Sequence, residues 1–191
     1  MLDLSNYSHI LIIILTCFIF SFLITFYIKK VAKHIGAMDI PNKRKVHKTP
    51  MPRLGGLGIF LTFLFGYMLF GIESIQMNSI LIGSFIIILV GVIDDIRPLG
   101  AKTKLLGQFI AACIVIFYGG ILLDKITIGS LHLDFGLLAY PITILFILGC
   151  VNIINLIDGL DGLSTGTCSI FYLTIGIIAF IKASYGGLDV S

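Results

Sequence analysis

The chain has 191 residues, 58% of them hydrophobic and only 12% charged, with a mean hydropathy of +1.09. A soluble domain of this length needs far more charge to keep its surface hydrated, so a soluble globular protein is excluded. The net charge of +3 is gathered into a few segments, a pattern that suits an anionic membrane surface or a phosphorylated substrate rather than nucleic acid.

Six stretches without Lys, Arg, Asp or Glu follow one another at 4–28, 54–72, 74–93, 105–123, 135–157 and 162–181. Each has about the roughly 20 residues that a helix needs to cross the hydrocarbon of a bilayer. The expected fold is an all-α integral membrane helical bundle of about six transmembrane helices, one polytopic domain over 1–191. Gly66, Gly83, Gly107, Gly149 and Gly176 fall inside these stretches, where small residues let membrane helices approach closely. The segment before the first stretch carries Asp3 and no Lys or Arg, unlike the basic start of a cleaved secretory signal.

Lys and Arg set the orientation. Eight of the thirteen lie between Lys29 and Arg53, and Arg97, Lys102 and Lys104 follow the third stretch. Only Lys125 and Lys182 fall in loops of the opposite side. The loops after helices 1, 3 and 5 are therefore expected in the cytoplasm, with both termini outside. On the outer side, residues 125–135 alternate apolar and polar around Gly129 and Ser130, which predicts a small extracytoplasmic β-hairpin. Cys17, Cys113, Cys150 and Cys168 lie in or beside apolar stretches without the paired spacing of a metal motif, and read as free thiols.

Three cytoplasmic segments carry the polar chemistry. Residues 38–56 contain Asp39, Pro41, Pro50 and Pro52, which predict an irregular loop because Pro removes a donor and blocks helix continuation. Its Lys43, Arg44, Lys45, His47, Lys48 and Arg53 can neutralise phosphate oxygens, and Gly55-Gly56 opens the next helix. The same charges also serve simply as an orientation signal. In residues 91–97 the adjacent carboxylates Asp94 and Asp95 end a membrane helix, where helix carbonyls disfavour negative charge. Something cationic must offset them, either a hard divalent ion or Arg97 with the nearby lysines. In residues 152–164, Asn152, Asn155, Asp158 and Asp161 recur every three residues and form a drifting polar stripe, with Gly159 and Gly162 breaking the helix. Polar groups at membrane depth line cavities or bind ligands; the plainer reading is that Asp161 caps helix 6 and the asparagines join neighbouring helices.

In this order, the three segments resemble the polyprenyl-phosphate N-acetylhexosamine-1-phosphate transferases. The matching text is Asp39-x-Pro-Asn-x-Arg-Lys-x-His47 with Pro52-Arg-Leu-Gly-Gly56, then Gly91-x-x-Asp-Asp95 followed by Lys104, then Asn152-x-x-Asn-x-x-Asp-Gly-x-Asp-Gly-Leu163. The first segment is closer to the UDP-GlcNAc branch, which starts teichoic acid or lipopolysaccharide O-antigen synthesis, than to the muramoyl-pentapeptide branch. The resemblance implies transfer of GlcNAc 1-phosphate from UDP-GlcNAc to undecaprenyl phosphate at the cytoplasmic face of a bacterial plasma membrane. It implies Asp94, Asp95 and Asp158 as catalytic residues and ligands of magnesium, or of manganese in its place. Lys45, His47, Arg53, Asn152, Asn155 and Asp161 are the substrate-binding set. Its partners are undecaprenyl phosphate, a UDP-N-acetylhexosamine and the lipid bilayer, with a homodimer left open and no nucleic acid.

Members of that family resemble a bundle of about ten or eleven helices, so the chain corresponds to their N-terminal part. A muramoyl-pentapeptide-type transferase, an inactive remnant and a membrane transporter stand as alternatives. Polar groups gathered at one face rather than at mid-bilayer count against the transporter.

Overall fold

The computed structural model describes residues 4–40, 49–128, 131–158 and 162–184. Six α-helices, α1 (Leu4–Ile35), α2 (Gly55–Phe70), α3 (Ile75–Ile96), α4 (Ala101–Cys113), α5 (Ala139–Ile157) and α6 (Leu163–Ser184), dominate it. Five helical segments are long and apolar enough to cross a membrane: Ser8–Ile35, Ile75–Ile96, Ala101–Tyr118, Gly136–Ile157 and Leu163–Lys182. The all-α membrane bundle therefore stands, with one refinement. α2 has 16 residues, about 24 Å of helix at 1.5 Å per residue, against a hydrocarbon core of about 30 Å. Apolar composition continues to Ile72, but the backbone leaves the helix at Gly71, whose ψ of 149° is extended. The chain divides into two compact units, one of residues 13–151, the other of the described parts of 1–12 and 152–191.

In the larger unit, α1 meets α2 through a few side chains. Phe20 stacks on Phe65 with centroids 4.0 Å apart, and Ile28, Ala32, Ala37 and Leu54 form a buried cluster joined by Leu57, Leu61 and Val92. Ser74 starts α3 by accepting the Met77 amide on its hydroxyl at 3.1 Å, which satisfies one of the donors a helix start leaves open. Tyr67 ties the end of α2 to α3 by donating to Asn78 Oδ1 at 3.1 Å.

The fourth span begins at Ala101, earlier than its apolar run, and passes from α4 into a π-helical turn over Ile114–Tyr118. α3 packs along both parts, with Gly83 against Val115 and Ala111 and Gly107 against Val90. The closest approach is at Gly119, where an added Cβ would lie 2.6 Å from the Val115 carbonyl oxygen and 2.7 Å from Ser79 Cβ. Neither the carbonyl nor the fully buried Ser79 can move away freely. Gly119→Ala should therefore destabilise the fold by about 1–3 kcal/mol, the usual cost of overpacking. A lowered melting temperature of the purified protein in detergent, with Gly149→Ala as the comparison at a position where an added Cβ meets nothing within 4 Å, checks this.

The predicted hairpin is present. β3 (Lys125–Ile128) and β4 (Leu131–Asp134) pair antiparallel from Lys125↔Asp134 to Ile128↔Leu131; its turn residues Gly129 and Ser130 lie outside the described residues. The four cysteines are free and half-buried.

Candidate active site

The first of the three polar segments is better ordered at its base than an irregular loop. β1 (Met38–Asp39) pairs antiparallel with β2 (Met51–Pro52), and the Arg53 amide donates to the Ala37 carbonyl at 3.0 Å. Pro52 is compatible with this ribbon because a two-strand ladder leaves one side of each strand without ladder bonds. The Arg53 guanidinium then forms an ion pair with Asp39, with the two side chains 37% and 19% exposed. The segment is thus pinned at its two ends, directly before the start of α2 at Gly55. Lys45 and His47 lie outside the described residues.

Asp94 and Asp95 occupy the last turn of α3, as the sequence predicts, and both are half-buried. The residues that follow fold back at once. The Leu99 amide donates to Asp94 Oδ1 at 2.8 Å, and Gly100 caps α4. Lys104, in the first turn of α4, reaches back to place Nζ 2.7 Å from Asp94 Oδ2. Arg53 also acts on Asp94 electrostatically. Each member of this pair stands where its own helix disfavours it: an acid at a C-terminus and a base at an N-terminus. Their contact cancels both mismatches and supplies the cation that the carboxylate pair requires. The sequence offers the nearby lysines as one counter-charge for the carboxylate pair, and the structure selects Lys104; for Asp39 it names no partner. The signal was available in Pro98-Leu-Gly100, a turn short enough to bring Lys104 back onto α3.

Asn152 and Asn155 sit in the last two turns of α5, and Asp158 follows it with its amide bonded to the Ile154 carbonyl at 3.2 Å. Asn155 and Asp158 are exposed and Asn152 half-buried. Gly162, at φ +77°, a conformation suited to glycine, leads into α6. Asp161 lies outside the described residues. This group belongs to the smaller unit and the Asp94 group to the larger; each is described by itself.

Among the described residues no three His, Cys, Asp or Glu side chains converge as a metal cage. Asp94 and Asp95 are the carboxylates that could contribute oxygen ligands to a magnesium ion, with waters and substrate phosphates completing the shell, although the two Asp94 oxygens already meet the Leu99 amide and Lys104.

The chain is thus a polytopic helical membrane protein in which an acid–base pair ties the end of one span to the start of the next. The sequence profile of glycosyl transferase family 4 matches residues 77–190. A Bacillus subtilis protein named as a probable undecaprenyl-phosphate N-acetylglucosaminyl 1-phosphate transferase is 43% identical over 160 residues, covering 82% of this chain and 44% of the relative. The Escherichia coli K12 undecaprenyl-phosphate alpha-N-acetylglucosaminyl 1-phosphate transferase is 27% identical over 169 residues, covering 86% of this chain and 46% of the relative. A Mycobacterium tuberculosis decaprenyl-phosphate N-acetylglucosaminephosphotransferase is 33% identical over 114 residues, covering 55% of this chain and 28% of the relative. No solved structure matches. The chain belongs to glycosyl transferase family 4. It spans less than half the length of these relatives.

Proposed function

We propose that the protein transfers GlcNAc 1-phosphate from UDP-GlcNAc to undecaprenyl phosphate, the first membrane step towards a cell-surface polysaccharide or teichoic acid. The observation that carries this reading is the Asp94–Lys104 pair at the junction of two spans, in a chain whose relatives bear transferase names. A lipid-phosphate oxygen attacks the phosphorus bearing the sugar, the bond from that phosphorus to the bridging oxygen breaks, and UMP leaves with that oxygen. Asp94 and Asp95 orient the attacking phosphate, and Lys104, Arg53, Lys45 and His47 balance phosphate charge. Asn152, Asn155 and Asp161 offer the mixed donors and acceptors that suit a uracil ring. Magnesium held by Asp94 and Asp95 would neutralise charge on the diphosphate. Membranes carrying the protein expressed from its complete gene, given radiolabelled UDP-GlcNAc and undecaprenyl phosphate, should form a labelled lipid diphosphate and release UMP in equal amount. Release of UDP instead of UMP would replace this reaction with a direct glycosyl transfer.

The same reading places the basic face in the cytoplasm of a bacterial plasma membrane, with Met1 and Ser191 outside. In a background lacking Cys17, Cys113, Cys150 and Cys168, cysteines placed at Lys43 and Lys102 should be labelled only from the cytoplasm. One placed at Ser130 should be labelled only from outside. The opposite pattern would invert the topology and remove the active face from the UDP-sugar pool.

A further inference from the structure

α1 carries a groove that the proposed reaction does not use. Phe18, Ser21, Phe22, Thr25, Phe26 and Lys29 line an open cavity of about 300 Å³, at the three- and four-residue spacing that puts side chains on one helix face. Phe22 and Phe26 meet edge to face at 4.9 Å. The Thr25 hydroxyl donates to the Ser21 carbonyl at 2.7 Å, so the trough has aromatic walls and a satisfied hydroxyl in its floor. The neighbouring stripe of α1 is committed to α2, through Phe20 on Phe65 and Ile28 over Gly58.

At its basic end the trough joins a second cavity of about 80 Å³, which shares Thr25 and Lys29 and adds Pro52, Arg53, Gly55 and Gly58. Gly58 keeps this cavity open, since a Cβ there would lie 3.2 Å from Ile28 Cδ1. Arg53 is already paired with Asp39. Lys29 is exposed and has no carboxylate partner among the described residues. Lys30 and Lys33 beside it, both exposed, add to the local positive field.

We infer that this groove holds one anionic phospholipid of the leaflet at the basic face, its acyl chain against Phe18–Phe26 and its phosphate at Lys29. The twelve residues from Phe18 to Lys29 span about 16 Å of helix, which matches one leaflet, half of a hydrocarbon core of about 30 Å. An ordinary acyl chain ends within that length, whereas the eleven-unit isoprenoid chain of undecaprenyl phosphate runs far beyond it. Charge fixes the headgroup class, since a single phosphate answers Lys29, which has no carboxylate partner among the described residues, and basic residues near a surface draw anionic lipid. The inference rests on the groove and the membrane span, not on the transferase reaction.

The test uses the protein made from its complete gene in phosphatidylcholine nanodiscs with a trace of photoactivatable phosphatidylglycerol, and maps the labelled peptides. Labelling within residues 18–29 is expected, about fivefold weaker in Lys29→Gln and retained in Lys29→Arg. Thr25→Phe fills the trough with its charges intact and should also lose the label. Equal labelling by a phosphatidylcholine analogue would reduce the groove to nonspecific lipid contact and overturn the proposal. Displacement by stoichiometric undecaprenyl phosphate would give the groove to that lipid, and no label in 18–29 of the unsubstituted protein would mean that protein covers it; either result overturns the proposal. Because transfer is not the readout, an inactive protein that labels as expected would sink the proposed reaction and leave the lipid site standing.

Discussion

Lys104→Gln should lower the rate of GlcNAc 1-phosphate transfer about a hundredfold or more while leaving the protein folded. The ammonium lies 2.7 Å from Asp94 Oδ2, and in the proposed reaction it would stabilise charge on the phosphate oxygens; removing one such group commonly costs about 10²–10³ in rate. Stability should change far less. The side chains of Lys104 and Asp94 remain 35% and 26% exposed, so water screens the pair and its net contribution is closer to about 1 kcal/mol than to that of a buried pair. Asp94→Asn should be comparably slow, and the double variant should lose less than the two single losses combined, because each single change already removes the interaction. Initial rates of UMP release from membranes with matched protein levels measure all three. A fully active Lys104→Gln would reduce the contact to a surface ion pair and take Lys104 out of the mechanism.

Chelation should bring transfer to background, and added magnesium or manganese should restore it. Asp94 and Asp95 are adjacent at the end of α3, and a hard cation needs oxygen ligands that its water shell and the substrate diphosphate can complete. Asp95→Asn keeps the size of the side chain and removes its charge. It should raise the magnesium concentration for half-maximal transfer by about 10–100-fold, the range seen when a metal site loses a supporting group. Titration of activity against free magnesium in wild type and variant distinguishes a weakened site from a dead enzyme. Full activity in excess chelator would remove the metal from the reading.

Much of this arrangement is legible in the chain because membranes impose simple rules. Length and charge gaps locate the spans, and alternation around Gly129-Ser130 announces the β3–β4 hairpin. What escapes is set by contacts distant in sequence or by backbone geometry. The β1–β2 ribbon has two residues per strand, one of them Pro52, and no local pattern marks a pairing that spans so basic a segment. The π turn at Ile114–Tyr118 looks identical to an ordinary apolar helix in composition. The carboxylate pair illustrates the boundary between the two. Helix electrostatics demands a cation at Asp94 and admits either a metal or a nearby base; only the fold shows Lys104 bonded there. Arg53 was assigned to phosphate from its place in a basic run, and the structure shows that it also closes the run by pairing with Asp39.

The brevity of α2 has a consequence for the shape of the lipid around it. A 16-residue helix beside the 22-residue α3 falls short of the hydrocarbon core by about 6 Å, and a bilayer meets such a deficit by thinning locally. The start of α2 follows Arg53, whose charge reaches Asp94, so a dimple at that end brings the headgroup plane down to the charged cluster. In the proposed reaction, a chain-bound phosphate and a water-borne nucleotide sugar would then meet in a wet hollow below the level of the surrounding leaflet, each still within its own phase.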